Sequence, residues 1–162
     1  MARRKSAHAA IRKCPTCGRA RRAKSVDYQF NVGPALFSGD VPALVCSNCD
    51  EELTDGAAMV QRELDAAVVL TGYKPSGDAV RFFRSVLNLK AKDFADLVGV
   101  APETVSRWEN GVREIDLAAW AHLCSMVLDC AAGVTTTLDR LRAAVGVRQR
   151  ALPAKRLVLK PT

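Results

Sequence analysis

The chain has 162 residues, about half of them apolar and a quarter charged, with 24 Lys/Arg against 17 Asp/Glu and a formal charge of +7. This length allows two small domains rather than one broad enzyme core, and the composition excludes wholesale disorder. No apolar run approaches the roughly 20 residues that span a bilayer, and the basic start MARRKSAHAAIRK leads into no apolar signal core, so the expected location is the cytoplasm.

The charge is uneven along the chain. Residues 1–50 carry nine Lys/Arg and three Asp/Glu, residues 51–78 two and six, residues 79–145 eight of each, and residues 146–162 five and none. A polyanionic partner fits this balance, with the excess in the two ends. Residues 1–11 form a basic, alanine-rich arm without periodicity, expected to be flexible. Val26, Tyr28, Phe30 and Val32 alternate with polar residues up to Gly33-Pro34, the pattern of a half-buried strand closed by a turn. A second short strand is expected through Leu44 and Val45 into Cys46. From Asp55 to Gly72 the spacing of Val60, Leu64, Ala67 and Val68 predicts a connecting helix capped by Thr54 or Asp55. The run Gly72-Tyr73-Lys74-Pro75-Ser76-Gly77-Asp78 breaks it and marks a domain boundary. Helix is expected from there almost continuously to about Val145, followed by a basic tail over 146–162.

Cys14-Pro15-Thr16-Cys17 and Cys46-Ser47-Asn48-Cys49 are two C-x-x-C knuckles separated by 28 residues. Two intervening residues let both thiolates of a tight turn face one ion, and two such turns complete a tetrahedral Cys₄ site. Four thiolates leave no open position, which favours one structural zinc per chain over a catalytic metal; a redox dithiol or iron–sulfur site is the alternative. Gly18 supplies a residue tolerant of positive φ after the first knuckle. Cys124 and Cys130, six apart in a helical stretch, read as buried small residues. His8 and His122 have no partner motif.

Residues Lys90 to Gly111 have the pattern that lets two helices cross closely. Ala95 is small at the crossing, Gly99 can end the first helix in the left-handed region, and Pro102 suits the first turn of the second. Phe94, Leu97, Val98, Val105 and Trp108 are expected in a shared core, with Asn110-Gly111 as the stop. Flanking helices are expected to bury Val80, Phe83, Val86 and Leu87 on one side and Leu117, Trp120, Leu123 and Val127 on the other. The outer face of the second helix stays polar, and Arg107 there can donate two parallel hydrogen bonds to guanine O6 and N7. Glu103 either accepts from cytosine N4 or favours the helix N-terminus electrostatically. With no nucleophile–base pair, phosphate loop or open metal site in the sequence, no enzyme activity is expected. The fold class expected is mainly α, with a small N-terminal zinc-binding β module.

The second half resembles the phage-repressor-like (Xre) helix-turn-helix family, whose recognition helix commonly ends in a similar Glu-Asn-Gly. The resemblance implies base contacts at Pro102, Glu103, Thr104 and Arg107, with Ser106 on the same helix, and phosphate contacts near Lys90, Lys92 and Asn110. It also implies a structural ion pair between Arg84 and Glu109. Pro102 lacks the side-chain donor that many relatives carry there.

The division into a zinc module at 12–55, a connecting helix and linker at 56–78, and a helix-turn-helix domain at 79–145 resembles the MqsA-type antitoxins of bacterial toxin-antitoxin systems. Cys49-Asp50-Glu51-Glu52-Leu53, the Tyr28-x-Phe30 strand and Val105-Ser106-Arg107-Trp108-Glu109-Asn110-Gly111 carry that similarity over about residues 12–145. It implies a zinc module contacting a small ribonuclease toxin, and a homodimeric helical domain repressing its own operon at a palindromic operator in double-stranded DNA. The family's base-reading asparagine falls at Glu103, so the operator sequence does not carry over. A stand-alone regulator built from the same parts is the other reading. The basic arm and tail either clamp phosphates or are solvated ends.

Overall fold

The computed structural model describes residues 13–147. The expected arm, His8 and all but the first two residues of the expected tail lie outside them. A three-stranded antiparallel sheet comes first, in the order β1 (Arg21–Val32), β2 (Ala35–Cys46), β3 (Glu52–Thr54). Six helices follow among the described residues: α1 (Gly56–Leu70), α2 (Gly77–Val86), α3 (Ala91–Val98), α4 (Pro102–Glu109), α5 (Leu117–Ala131) and α6 (Thr136–Val147). None of them is long and apolar enough to cross a membrane.

Both long strands exceed the expected lengths. Gly33, at φ 56°, is the first central residue of a two-residue turn, and the pairing then runs unbroken from Val32↔Ala35 to Arg21↔Cys46. Ladder hydrogen bonds carry the chain through polar segments whose side chains give no alternation signal. The alternating residues form one face of the sheet, where the Phe30 ring stacks on Phe37 at 5.6 Å and meets Phe82 of α2 at 5.8 Å. Helix α1 also lies against this hairpin. The Tyr28 hydroxyl donates to Glu63 Oε1 at 2.8 Å, and Arg62 Nε donates to the Asp40 carbonyl at 3.0 Å.

Helix α1 begins where Asp55 accepts a hydrogen bond from the Ala57 N–H at 3.0 Å. It is no mere connector, because Leu64 and Ala67 share a buried cluster with Val80, Phe83, Phe94, Val105, Trp108, Trp120, Leu123 and Val127. Of the expected break, residues 72–76 form a turn within this packed unit and Gly77 and Asp78 already belong to α2, which Ser76 caps by accepting from the Ala79 N–H. Phe83 stacks on Trp120 at 4.8 Å, and Phe94 meets Trp108 at 6.4 Å. Each such fully buried side chain contributes about 1.5–3 kcal/mol of transfer free energy.

Several expected core positions face solvent. Val60 is exposed although it shares the helix face of Leu64 and Ala67, because it sits one turn nearer the start of α1, before that face reaches the buried cluster. Leu117 is 83% exposed as the first residue of α5, one turn before the face formed by Trp120 and Leu123 reaches the core. Cys130 is exposed and Cys124 half-buried, so only Cys124 approaches the expected burial, which raises its thiol pKa.

Candidate metal centre and nucleic-acid interface

The long hairpin brings the two knuckles together. Each knuckle is built alike: the Cys14 N–H donates to the Arg19 carbonyl at 2.8 Å, and the Cys46 N–H donates to the Glu51 carbonyl at 3.0 Å. A residue with positive φ follows the second cysteine of each pair, Gly18 at 71° and Asp50 at 53°. The reading of Gly18 thus has a counterpart at Asp50 that composition does not reveal, since Asp enters this region by virtue of its short polar side chain.

All four sulfurs lie within 4.8 Å of one another. Cys14 Sγ is 3.6 Å from Cys49 Sγ, Cys17 Sγ is 3.4 Å from Cys46 Sγ, and Cys17 Sγ is 3.7 Å from Cys49 Sγ. A tetrahedron with metal–sulfur bonds of about 2.3 Å has edges of about 3.8 Å, so the cluster fits one zinc ion. Cys14 and Cys46 are buried, while Cys17 is half-buried and Cys49 exposed. The backbone N–H groups of Asn48 and Cys49 aim at Cys46 Sγ and lower its pKa to about 6. Cys49 moves the other way: the Glu51 N–H favours its thiolate, yet the neighbouring Cys46 thiolate and burial push it up to about 12. Packed thiols cannot all ionise without a cation among them.

Glu51 and Arg21 flank this cluster; in the sequence Glu51 appears only as part of the acidic stretch after the second knuckle, and Arg21 does not stand out. Cys14 Sγ donates to Glu51 Oε2 at 2.8 Å, which raises the Cys14 pKa and lowers that of Glu51. Arg21 NH2 lies 3.1 Å from Glu51 Oε1. Their signal is visible only in three dimensions, because the hairpin makes Arg21 the direct cross-strand partner of Cys46.

In the second half of the chain α3 packs against α4, and Ala95 of α3 is wholly buried in a shared core with Phe94 and Leu97. Gly99 ends α3 at φ 76°, and Pro102 opens α4. The stop after α4 is a Schellman motif, with Val112 N–H donating to the Arg107 carbonyl at 2.9 Å and Gly111 N–H to the Trp108 carbonyl at 3.1 Å. Val105 and Trp108 face inward, which leaves Pro102, Glu103, Ser106 and Arg107 exposed and Thr104 half-exposed on the outer side. Arg107 makes no side-chain bond among the described residues. Lys90 and Lys92 are exposed at the start of α3.

Glu109 faces α2. Arg84 Nε donates to Glu109 Oε1 at 2.6 Å while its NH1 donates to the Leu89 carbonyl at 2.6 Å, so one guanidinium ties α4 to the end of α2. Arg81 adds a second cation 3.7 Å from Glu109 Oε2, a partner the sequence did not suggest. The Asn110 amide is used internally: Oδ1 accepts from Arg81 at 3.0 Å, and Nδ2 donates to the Ser106 carbonyl at 2.9 Å and to its Oγ at 3.3 Å. Gly77 sits against the end of α4, and a Cβ there would lie 2.6 Å from the Glu109 carbonyl oxygen.

Residues 87–121, spanning α3, α4 and the start of α5, match a helix-turn-helix family model. No curated protein matches the chain at a level that carries an argument from relatives. In helix-turn-helix segments generally the second helix enters the DNA major groove, and the second helix of the matched segment is α4.

Proposed function

We propose that the chain is a sequence-specific transcriptional repressor that binds a palindromic operator as a homodimer, with α4 as the reading helix and a structural zinc stabilising the N-terminal hairpin. The observation that carries this reading is the outer face of α4, where Arg107 stands exposed and unpaired while Ala95, Gly99 and Pro102 fix the crossing with α3. Arg107 reads a guanine, and Glu103 and Thr104 meet neighbouring base edges. Lys90 and Lys92 neutralise phosphates. Ser106 and Asn110 act mainly by holding the end of α4 through the bonds they share, with their remaining reach directed to the backbone of the duplex. The Arg84–Glu109 pair positions the helix rather than touching DNA.

Within this class we favour the antitoxin of a toxin-antitoxin pair, which represses its own operon and neutralises a small ribonuclease toxin through the zinc module. The order of parts supports it: a Cys₄ hairpin, a helix, then a helix-turn-helix. A stand-alone regulator is the second reading, favoured by exposed Lys13, Arg19, Arg22 and Lys24 on the zinc module, a surface that suits phosphates better than a basic toxin. Purification of the tagged chain from its host, with mass spectrometry and sequencing of what accompanies it, tests both. Co-purification of a small toxin and of its own promoter supports the antitoxin. DNA without a partner protein leaves the stand-alone regulator, and the absence of any selected DNA sequence overturns both.

A further inference from the structure

Arg21 is the first residue of β1, paired directly across the ladder with Cys46. Directly opposed residues on antiparallel strands project to the same face, about 4.5–5.5 Å apart at Cβ. Its guanidinium is therefore held on the thiolate side of the sheet, and its side chain is only 3% exposed. One end is anchored, with NH2 3.1 Å from Glu51 Oε1. The Nε–H is buried and has no acceptor among the described residues. A buried donor left unmet on the cross-strand partner of Cys46 is costly, and a thiolate of that centre is an acceptor that would answer it.

We propose that Arg21 is the counter-ion of the four-cysteine centre, a positioning residue that Glu51 fixes so that the buried Nε–H is offered to the metal-bound thiolates. This rests on the metal reading above and goes beyond it by assigning the residue that sets how tightly and how inertly the ion is held. Four thiolates and one divalent cation leave a formal charge of −2 on a centre whose Cys14 and Cys46 are buried. Buried net charge is expensive unless it is paired and hydrogen-bonded. The knuckle N–H groups of Asn48 and Cys49 supply dipoles to Cys46, whereas Arg21 supplies a full positive charge. Its planar fork can keep the Glu51 carboxylate on one edge while the free Nε–H turns to a thiolate once the ion is bound, which a lysine ammonium cannot match in geometry. Glu51 has the matching task of preventing the guanidinium from swinging out to water through its ion pair with Arg21, while the Cys14 thiol that donates to Glu51 in the metal-free chain gives up that proton when it ligates.

The test compares Arg21→Met, which keeps much of the volume without the charge, with Arg21→Lys and with Arg22→Met as an exposed neighbour. Zinc retention is read by competition with a chromogenic chelator, and thiolate reactivity by the rate at which iodoacetamide alkylates the zinc-loaded chain. Arg21→Met is expected to weaken retention by about 10- to 100-fold, the range typical of groups that orient metal ligands, and to speed alkylation. Arg21→Lys should fall between it and the wild type, and Arg22→Met should match the wild type. Retention and alkylation within twofold of wild type in a folded Arg21→Met chain would overturn the proposal and leave Arg21 a packing residue. If Arg21→Met does not fold, the decision passes to Arg21→Lys: wild-type values for both readouts refute the fork. Absence of bound zinc from the wild-type chain is seen before any substitution and removes the metal reading itself.

Discussion

Asp50 holds in the second knuckle the left-handed backbone that Gly18 holds in the first. A residue with a Cβ pays about 1–2 kcal/mol for that conformation, less when a short polar side chain bonds locally. Asp50→Gly should therefore leave the zinc-loaded hairpin unchanged or raise its stability by up to about 1 kcal/mol, while β-branched Asp50→Val should lower it by about 1–3 kcal/mol in denaturant titrations. Equal stabilities for the two variants would mean that the φ at Asp50 does not matter. Under the proposed function Arg107 is the residue on which the choice of site depends. Arg107→Ala should cost about 1–3 kcal/mol on the operator and little on scrambled duplex, measured by titration at several salt concentrations. Equal losses on both duplexes would place Arg107 on a phosphate. The exposed position of Arg107 on α4 was legible from its helical spacing alone, whereas the backbone of Asp50 was not, because backbone sign at a turn depends on how the turn is closed.

Among elements, the contact between the start of α2 and the end of α4 decides whether α4 is presented correctly. Gly77 has 2.6 Å and 2.8 Å between a virtual Cβ and the Glu109 and Trp108 carbonyl oxygens. Replacing a helical glycine by alanine ordinarily stabilises by about 0.4–1 kcal/mol, but here the methyl group strikes backbone. We expect Gly77→Ala to destabilise by about 1–3 kcal/mol and to weaken DNA binding with it. A variant with raised melting temperature and intact binding would show that the two helices can separate freely. In the sequence Gly77 reads only as a helix breaker, since the element it touches lies some thirty residues away. The knuckles are a second case. Cys46, with a pKa of about 6, is mostly ionised at pH 7, whereas Cys14 and Cys49 are shifted upward and hold their protons. Thiolates bind metal and thiols do not, so zinc uptake at pH 7 should release at least two protons and affinity should fall as pH is lowered. Calorimetry in buffers of different ionisation heat measures the count. A release below two would contradict the protonation states assigned to Cys14 and Cys49.

For the whole molecule, the hairpin and the helices depend on metal unequally. The buried cluster joining α1 to α5 contains no residue of the sheet, so a chelator should unfold residues 13–54 and leave most of the helical signal. Circular dichroism together with the hydrogen-exchange protection of Val26, Tyr28 and Phe30 would record this. Loss of more than half the helical signal would mean that the contacts of Phe30 with Phe82 and Tyr28 with Glu63 support the helices as well.

The sequence by itself determined the two C-x-x-C knuckles, the strand reaching Gly33, and the Ala95, Gly99 and Pro102 signals of a close helix crossing. These are local facts, governed by spacing, by φ preferences and by the period of apolar residues. Only the tertiary structure decided that α1 belongs to the helical core, that Val60 and Leu117 face water, that Arg81 joins Arg84 at Glu109, and that Arg21 stands across from Cys46. Each of these depends on which distant surface meets a given face, and side-chain periodicity records the existence of a face without recording its partner.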